Sequence, residues 1–329
     1  MKTTIFIFAI LLAFSQLALA NETIDKTDAI NRALAQAESK NEAAAEPETD
    51  LIYRQRLKED VVAVTAEKEE KLPSEFDTFI RVMPKHGVKS QEGNLGLLQS
   101  DFEYSYEFKA FDKIPVELGV GTEYINIDNS TSVTLPAHLT TVAIGGNITL
   151  PFFNFNKTYF RLGITPSFYS DNWNVNSTVF RIPINALAIY QPNDKLTLIL
   201  GVHIFPSGVD GKISPIAGLI YKPNDKLFFN LVAPTPTITY MFNKKIGLFG
   251  EWGFTDEEYL VTKDGEKNLA LLYRNVRLGA GALYKFNNFA RASFSMGSTL
   301  KSYLKYKESL GKVVMKNGLY TECRLEMYW

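Results

Sequence analysis

Leu319-Tyr-Thr-Glu-Cys-Arg-Leu-Glu-Met-Tyr-Trp329, the last eleven residues of the chain, decides the fold. In an extended chain successive side chains point to opposite faces. Leu319, Thr321, Cys323, Leu325, Met327 and Trp329 therefore share one face, and Tyr320, Glu322, Arg324, Glu326 and Tyr328 share the other. One face suits hydrocarbon and the other suits water, as the strand of a membrane barrel requires.

The same parity recurs upstream. Phe102, Tyr104, Tyr106 and Phe108 oppose Asp101, Glu103, Ser105 and Glu107, and Val116, Leu118, Val120 and Tyr124 oppose Glu117, Gly119, Gly121 and Glu123. Leu196, Leu198, Leu200, Val202 and Ile204 oppose Thr197, Gly201 and His203. Ala290, Ala292, Phe294, Met296 and Leu300 oppose Arg291, Ser293, Ser295, Thr299 and Lys301. Alternation alone also fits a soluble sandwich, whose apolar faces turn inward.

A repeated turn counts the strands. Tyr190-Gln-Pro-Asn193, Tyr221-Lys-Pro-Asn224, Tyr240-Met-Phe-Asn243, Tyr284-Lys-Phe-Asn287 and Phe153-Asn-Phe-Asn156 share one pattern, with Phe111-Asp112-Lys113 a looser member. Asn or Asp supplies the turn geometry and the aromatic stands at the strand end. A membrane strand takes about 9 to 11 residues, so each interval between these turns holds two strands, and the shortest admits a hairpin at Ala233-Pro-Thr-Pro236. With a first hairpin after Glu75 the count is 14 strands, 12 being the alternative if the shortest interval is one irregular excursion.

On this threading the short turns lie on one side and the long segments on the other. The long ones are Lys85–Asn94, Asp128–Ala137, Ser170–Ser177, Asp256–Asn268 and Lys305–Gly318. Short turns at one rim and long loops at the other are a barrel asymmetry. Tyr190, Tyr221, Tyr240, Tyr284 and Trp329 fall on the apolar face close to the short-turn side, where an interfacial aromatic girdle belongs. The reading is all-β: a transmembrane, antiparallel, up-and-down β-barrel over residues 75–329.

The N-terminal part has a different composition. Lys2, the apolar run Ile5–Phe14 and Ala18-Leu-Ala20 before Asn21 have the layout of a cleavable secretory signal over residues 1–20. Residues 21–74 are rich in Ala, Glu and Lys and poor in aromatics, which predicts a polar, helical or disordered periplasmic leader. Of the whole chain 46% is hydrophobic, yet beyond the first twenty residues no run is long enough for a membrane helix. The 35 basic and 36 acidic residues balance, so the chain carries no basic footprint for nucleic acid.

The last segment, Tyr320–Trp329, resembles the terminal strand by which bacterial outer-membrane proteins are recognised by their assembly machinery. The Tyr-x-Pro-Asn-Asp-Lys-Leu turns and Pro215-Ile-Ala-Gly-Leu-Ile-Tyr221 resemble a family of predicted outer-membrane barrels of unknown function. The resemblance covers about residue 75 to the end. It implies the bacterial outer membrane as location, its lipids and assembly machinery as partners, and the barrel as fold.

Enzyme chemistry finds little support. The three histidines, His86, His138 and His203, form no metal-spaced pair, and no cofactor motif is present. Gly119-Val-Gly121, Gly145-Gly146 and Gly279-Ala-Gly281 lack a following Lys-Ser/Thr and sit within strands, so they read as small residues where side chains crowd. An acid/base role for His203 with Glu251 is the weakest of the readings. Cys323 has no partner for a disulfide.

The informative set points inward. Glu103, Glu107, Glu117, Glu123, Arg161, Arg181, Glu251, Arg277, Arg291, Lys301, Glu322, Arg324 and Glu326 are expected to line the lumen. A channel for small solutes uses such charges to bias what passes. A non-conducting surface or envelope-anchoring barrel pairs them across the interior instead. Which arrangement holds depends on the shear of the barrel, which composition does not reveal.

Overall fold

The computed structural model describes residues 74–110, 114–155, 157–172, 179–205, 212–307 and 310–329. The expected signal and leader, and the turn residues Asp112 and Asn156, lie outside them. The elements are β1 (Ser74–Gly87), β2 (Asn94–Ala110), β3 (Ile114–Asn129), β4 (His138–Phe155), β5 (Thr158–Ile164), β6 (Ser167–Ser170), β7 (Phe180–Arg181), β8 (Ile184–Asn193) and β9 (Leu196–Phe205). After them come β10 (Lys212–Asn224), β11 (Leu227–Asn230), β12 (Thr237–Met241), β13 (Ile246–Lys263), β14 (Glu266–Lys285), β15 (Ala290–Tyr306), β16 (Lys312–Met315) and β17 (Gly318–Tyr328).

Neighbours in sequence pair antiparallel, and β1 pairs with both β2 and β17, so the sheet closes on itself, with β11 and β12 completing it only near the short turns. Three strands are each interrupted once: β5 continues as β6 past Pro166, β7 as β8 past Pro183, and β16 as β17. Proline removes a ladder donor, which accounts for the first two breaks. Joined in this way the elements make 14 strands.

The repeated turn works through its asparagine. The Asn193 side-chain oxygen accepts from Lys195 N (2.9 Å), Asn224 from Lys226 N (2.9 Å) and Leu227 N (3.0 Å), and Asn243 from Lys245 N (2.8 Å) and Ile246 N (2.9 Å). Asn287 does the same for Phe289 N at 2.8 Å. In each case the side chain replaces a backbone acceptor two or three residues early, which turns the chain tightly.

Large apolar side chains cover the outside. Leu200, Ile213, Leu319, Ile144, Leu118 and Met296 are all exposed there, a surface that water does not tolerate but lipid does. The protein is a membrane-spanning β-barrel of the outer-membrane type.

Three features depart from the expected threading. The segment Asp256–Asn268 is not a loop. β13 and β14 run on to Lys263↔Glu266 and turn at Asp264 and Gly265, both with positive φ, as a two-residue hairpin turn requires. Thr255 to Val261 are buried on both faces, so this hairpin leaves the lipid-exposed wall. It reaches the strands of the opposite wall: Leu260 pairs in parallel with Ser170 of β6, and Thr262 N donates to Asp171 Oδ2 at 2.7 Å. At the long-loop end β13 thus touches β6.

Secondly, Lys301 is exposed. The pairing steps from Val276↔Lys301 to Arg277↔Thr299, leaving Leu300 as the extra residue of a β-bulge. Past a bulge the alternation shifts by one, so Ser302 and Leu304, not Lys301, take the inward positions. Thirdly, the hairpin around Ala233-Pro-Thr-Pro236 exists, but its strands are only Leu227–Phe228-Phe-Asn230 and Thr237–Met241, which stop short of the outer rim.

Candidate functional site: the barrel interior

The interior divides into two zones along its length. Toward the long loops an apolar cluster fills it: Met83, Leu95, Leu97, Ile125, Leu139, Tyr169, Tyr259, Leu271, Tyr273, Leu304, Val313, Met315 and Tyr320 pack together, with Asp256, Glu257 and Glu258 of β13 buried beside them. Tyr259 meets Tyr169 edge to face with ring centroids 5.8 Å apart and approaches Thr141 Oγ1 with its hydroxyl at 3.3 Å. These residues belong to strands whose outer faces are also apolar, so alternation of polar and apolar carries no sign of them.

Below this cluster lies the charged zone. Arg81 Nε donates to Glu322 Oε2 at 2.8 Å and its Nη1 to Gln99 Oε1 at 2.5 Å, while Gln99 Nε2 donates to Glu123 Oε1 at 2.8 Å. A hydrogen-bonded line thus crosses β17, β1, β2 and β3. Arg324 Nη1 donates to Asp77 Oδ2 at 2.9 Å, Arg161 Nη2 to Glu117 Oε2 at 2.6 Å, and Arg291 pairs with Glu326. Glu251 accepts from Ser295 Oγ (2.8 Å) and the Tyr320 hydroxyl (3.1 Å). Charged hydrogen bonds of this kind are short because both partners carry charge.

Of the expected lining, Glu103, Glu117, Glu123, Arg161, Arg181, Glu251, Arg277, Glu322 and Glu326 are buried inside the ring, and Glu107, Arg291 and Arg324 are half-buried. Lys301 stands outside the set, as the bulge dictates. Tyr190, Tyr221, Tyr240, Tyr284 and Trp329 are exposed on the outer surface beside the short turns. Tyr104 stacks on Trp329, with ring centroids 5.9 Å apart.

Several interior residues escaped the sequence reading. Asp77 and Arg81 have the right parity, alternating with Thr78, Ile80 and Val82, and that pattern was the signal that marks them. Gln99 is uncharged, so the charge pattern does not mark it. Asp256, Glu257 and Glu258 lie on β13 in a polar stretch whose composition predicts a loop. His203 is buried and its Nδ1 lies 2.5 Å from Asn185 Oδ1, whereas Glu251 is held by Ser295 and Tyr320, so the two do not form an acid/base pair.

Arg277 differs from the other arginines. It is buried yet makes no hydrogen bond or ion pair among the described residues, and its guanidinium lies flat over Gly253, its register partner on β13. A Cβ added at Gly253 would come within 2.7 Å of both terminal guanidinium nitrogens, so the group would have to shift from its present place.

No family model matches the chain, and no curated protein matches it. Among solved structures it is similar to an outer membrane channel from Pseudomonas putida F1, at 10% identity and a TM-score of 0.45, covering 80% of this chain and 99% of that one. It is also similar to a deltaS2 mutant of the monoaromatic hydrocarbon channel TodX, at 10% identity and a TM-score of 0.46, over 79% and 90%. A third is the KdgM porin, at 10% identity and a TM-score of 0.32, over 77% and 99%. At such values the fold rests on the chain's own strand pairing.

Proposed function

We propose that this protein is a porin-like channel of the outer membrane that passes small solutes through a charged interior. The observation that carries the reading is the charged zone itself. On β2 and β3 alone Asp101, Glu103, Glu117 and Glu123 are buried on the inward face, Glu117 paired with Arg161 and Glu123 bonded to Gln99. A purely structural barrel has no need for so many buried carboxylates, since apolar residues of similar volume fill an interior at less desolvation cost. Acidic residues prevail in this wall, which favours cations over anions in transit.

The packed apolar zone supports a second reading, a barrel that does not conduct and that engages a partner through its long loops. Single-channel recording of the mature chain in planar bilayers, with and without residues 21–73, separates the two. Steady ohmic conductance with cation preference supports the channel. A folded barrel that stays silent in both forms overturns it in favour of the second reading.

A further inference from the structure

The ring of hydrogen bonds is broken on one side. β10 is bonded to β9 from Lys212↔Phe205 to Tyr221↔Leu196. On its other side it meets β11 only at Ile220↔Asn230, Tyr221↔Phe229 and Asn224↔Leu227, and the last bond above these is Leu231 N to Leu219 O at 2.8 Å. Ile213 to Gly218 have no backbone partner on that edge among the described residues. Across the short hairpin the bonds to β13 reach Phe254, whose N donates to Pro234 O at 2.9 Å, and there β13 turns inward toward β6.

The open edge lies in the apolar surface: Ile213 at its upper part is 68% exposed, and Leu231, bonded to Leu219 at its lower end, is 39% exposed. An open sheet edge is not tolerated against lipid unless it lines a cavity or is covered. Covering by an added strand is opposed by Pro215 in the middle of the edge, since proline lacks the donor that pairing needs. Inward of the lower edge the lining is apolar, with Ile216 and Ile220 packed among Leu187, Ile199 and Val232, while Ser214 above them is polar and uncharged. Val232 comes from the tip of the short hairpin and closes on Gly218, where an added Cβ would stand 2.7 Å from Val232 Cγ2.

We infer that the break beside β10 is a side portal, through which an apolar solute dissolved in the membrane exchanges with the barrel interior. This rests on the reading of the protein as a solute channel and names the solute class for that route. Beyond the ends of β11 and β12 no described strand stands between the upper part of β10 and β13, which there turns inward, so this side of the wall is where an aromatic ring or an alkyl chain enters. The rim offers such a solute no charge to desolvate, and Val232 is the plug that must move. The axial mouth is filled by the apolar cluster around Tyr259 and Leu271, so the side is the shorter way out of the interior.

The test uses the full chain in membranes, with Cys323, its one thiol, replaced in C323S. Ile216→Cys and Ile199→Cys place thiols in the same buried cluster, the first beside the open edge and the second on a strand bonded on both sides. With membrane-dissolved N-phenylmaleimide, Ile216→Cys should react about tenfold faster than Ile199→Cys, because the latter requires local opening of the sheet. Val232→Ala should raise the Ile216→Cys rate and Val232→Trp should lower it, with ion conductance unchanged by either. Should Val232→Trp not fold, as judged by heat-modifiable migration on gels, Leu231→Trp at the rim serves instead. Equal rates at the two cysteines overturn the portal, as does an Ile216→Cys rate that rises only when residues 21–73 are removed, which means a chain segment covers the edge. Conductance with equal labelling leaves the channel standing without the portal, and selective labelling of a silent barrel separates the two in the other direction.

Discussion

Arg81 and Glu322 stand directly opposite one another on the first and last strands, and the guanidinium grips one carboxylate oxygen with Nε at 2.8 Å and Nη2 at 2.5 Å. The two residues are the most distant strands of the chain brought together, so their ion pair sits on the seam that closes the barrel. Both are buried, which makes the pair costly to break from one side.

Arg81→Met is expected to destabilise the folded barrel by about 3–5 kcal/mol, because Glu322 is left as a buried charge without its main partner. The double variant Arg81→Met/Glu322→Leu should recover most of that loss. Denaturant unfolding in lipid vesicles measures both; a double variant as unstable as the single one means the pair is not what holds the seam.

Leu200→Arg, on the outer face at 63% exposure, should cost about 2–4 kcal/mol if it lies near the bilayer midplane. Glu107→Arg, half-buried at the short-turn end, should cost much less. Equal losses in a refolding titration would show that the facing of these strands is misassigned. Glu322, by contrast, is a poor place for an arginine despite facing inward, since Arg81 and Arg324 already contact it.

Gly253→Ala pushes into the Arg277 guanidinium and is expected to destabilise by about 1–3 kcal/mol, the usual range for overpacking. Adding Arg277→Ala should remove most of that effect, since the clashing group is gone. Additive losses in the unfolding midpoints would mean that the two side chains do not meet.

Leu271→Ala removes a fully buried side chain from the apolar zone and should cost about 2–5 kcal/mol. If that zone is what narrows the passage, single-channel conductance rises in the same variant. Loss of stability with unchanged conductance would place the narrowest point elsewhere.

Much of the fold was legible because it is local. The parity of Leu319–Trp329 depends only on the extended backbone, and the turns at Asn193, Asn224, Asn243 and Asn287 depend on a side chain reaching two or three residues along its own chain. Those two signals suffice for which side of most strands meets lipid and for the inward position of Glu117 or Glu322, and they narrow the strand number to 14 or 12. They failed at Lys301, where one extra residue, Leu300, shifts the parity, and at Asp256–Asn268, whose polar residues read as a loop but are buried on both faces of a hairpin.

What sequence alone determined, then, is the strand, its two faces and its turns, since these follow from interactions between residues near one another in the chain. Only the tertiary structure decided that Arg81 meets Glu322, that Arg277 lies over Gly253, that β13 crosses to β6 and that β10 keeps an open edge. Each of these depends on the register and stagger with which distant strands pair, and a shift of one residue in that register turns every side chain to the other face.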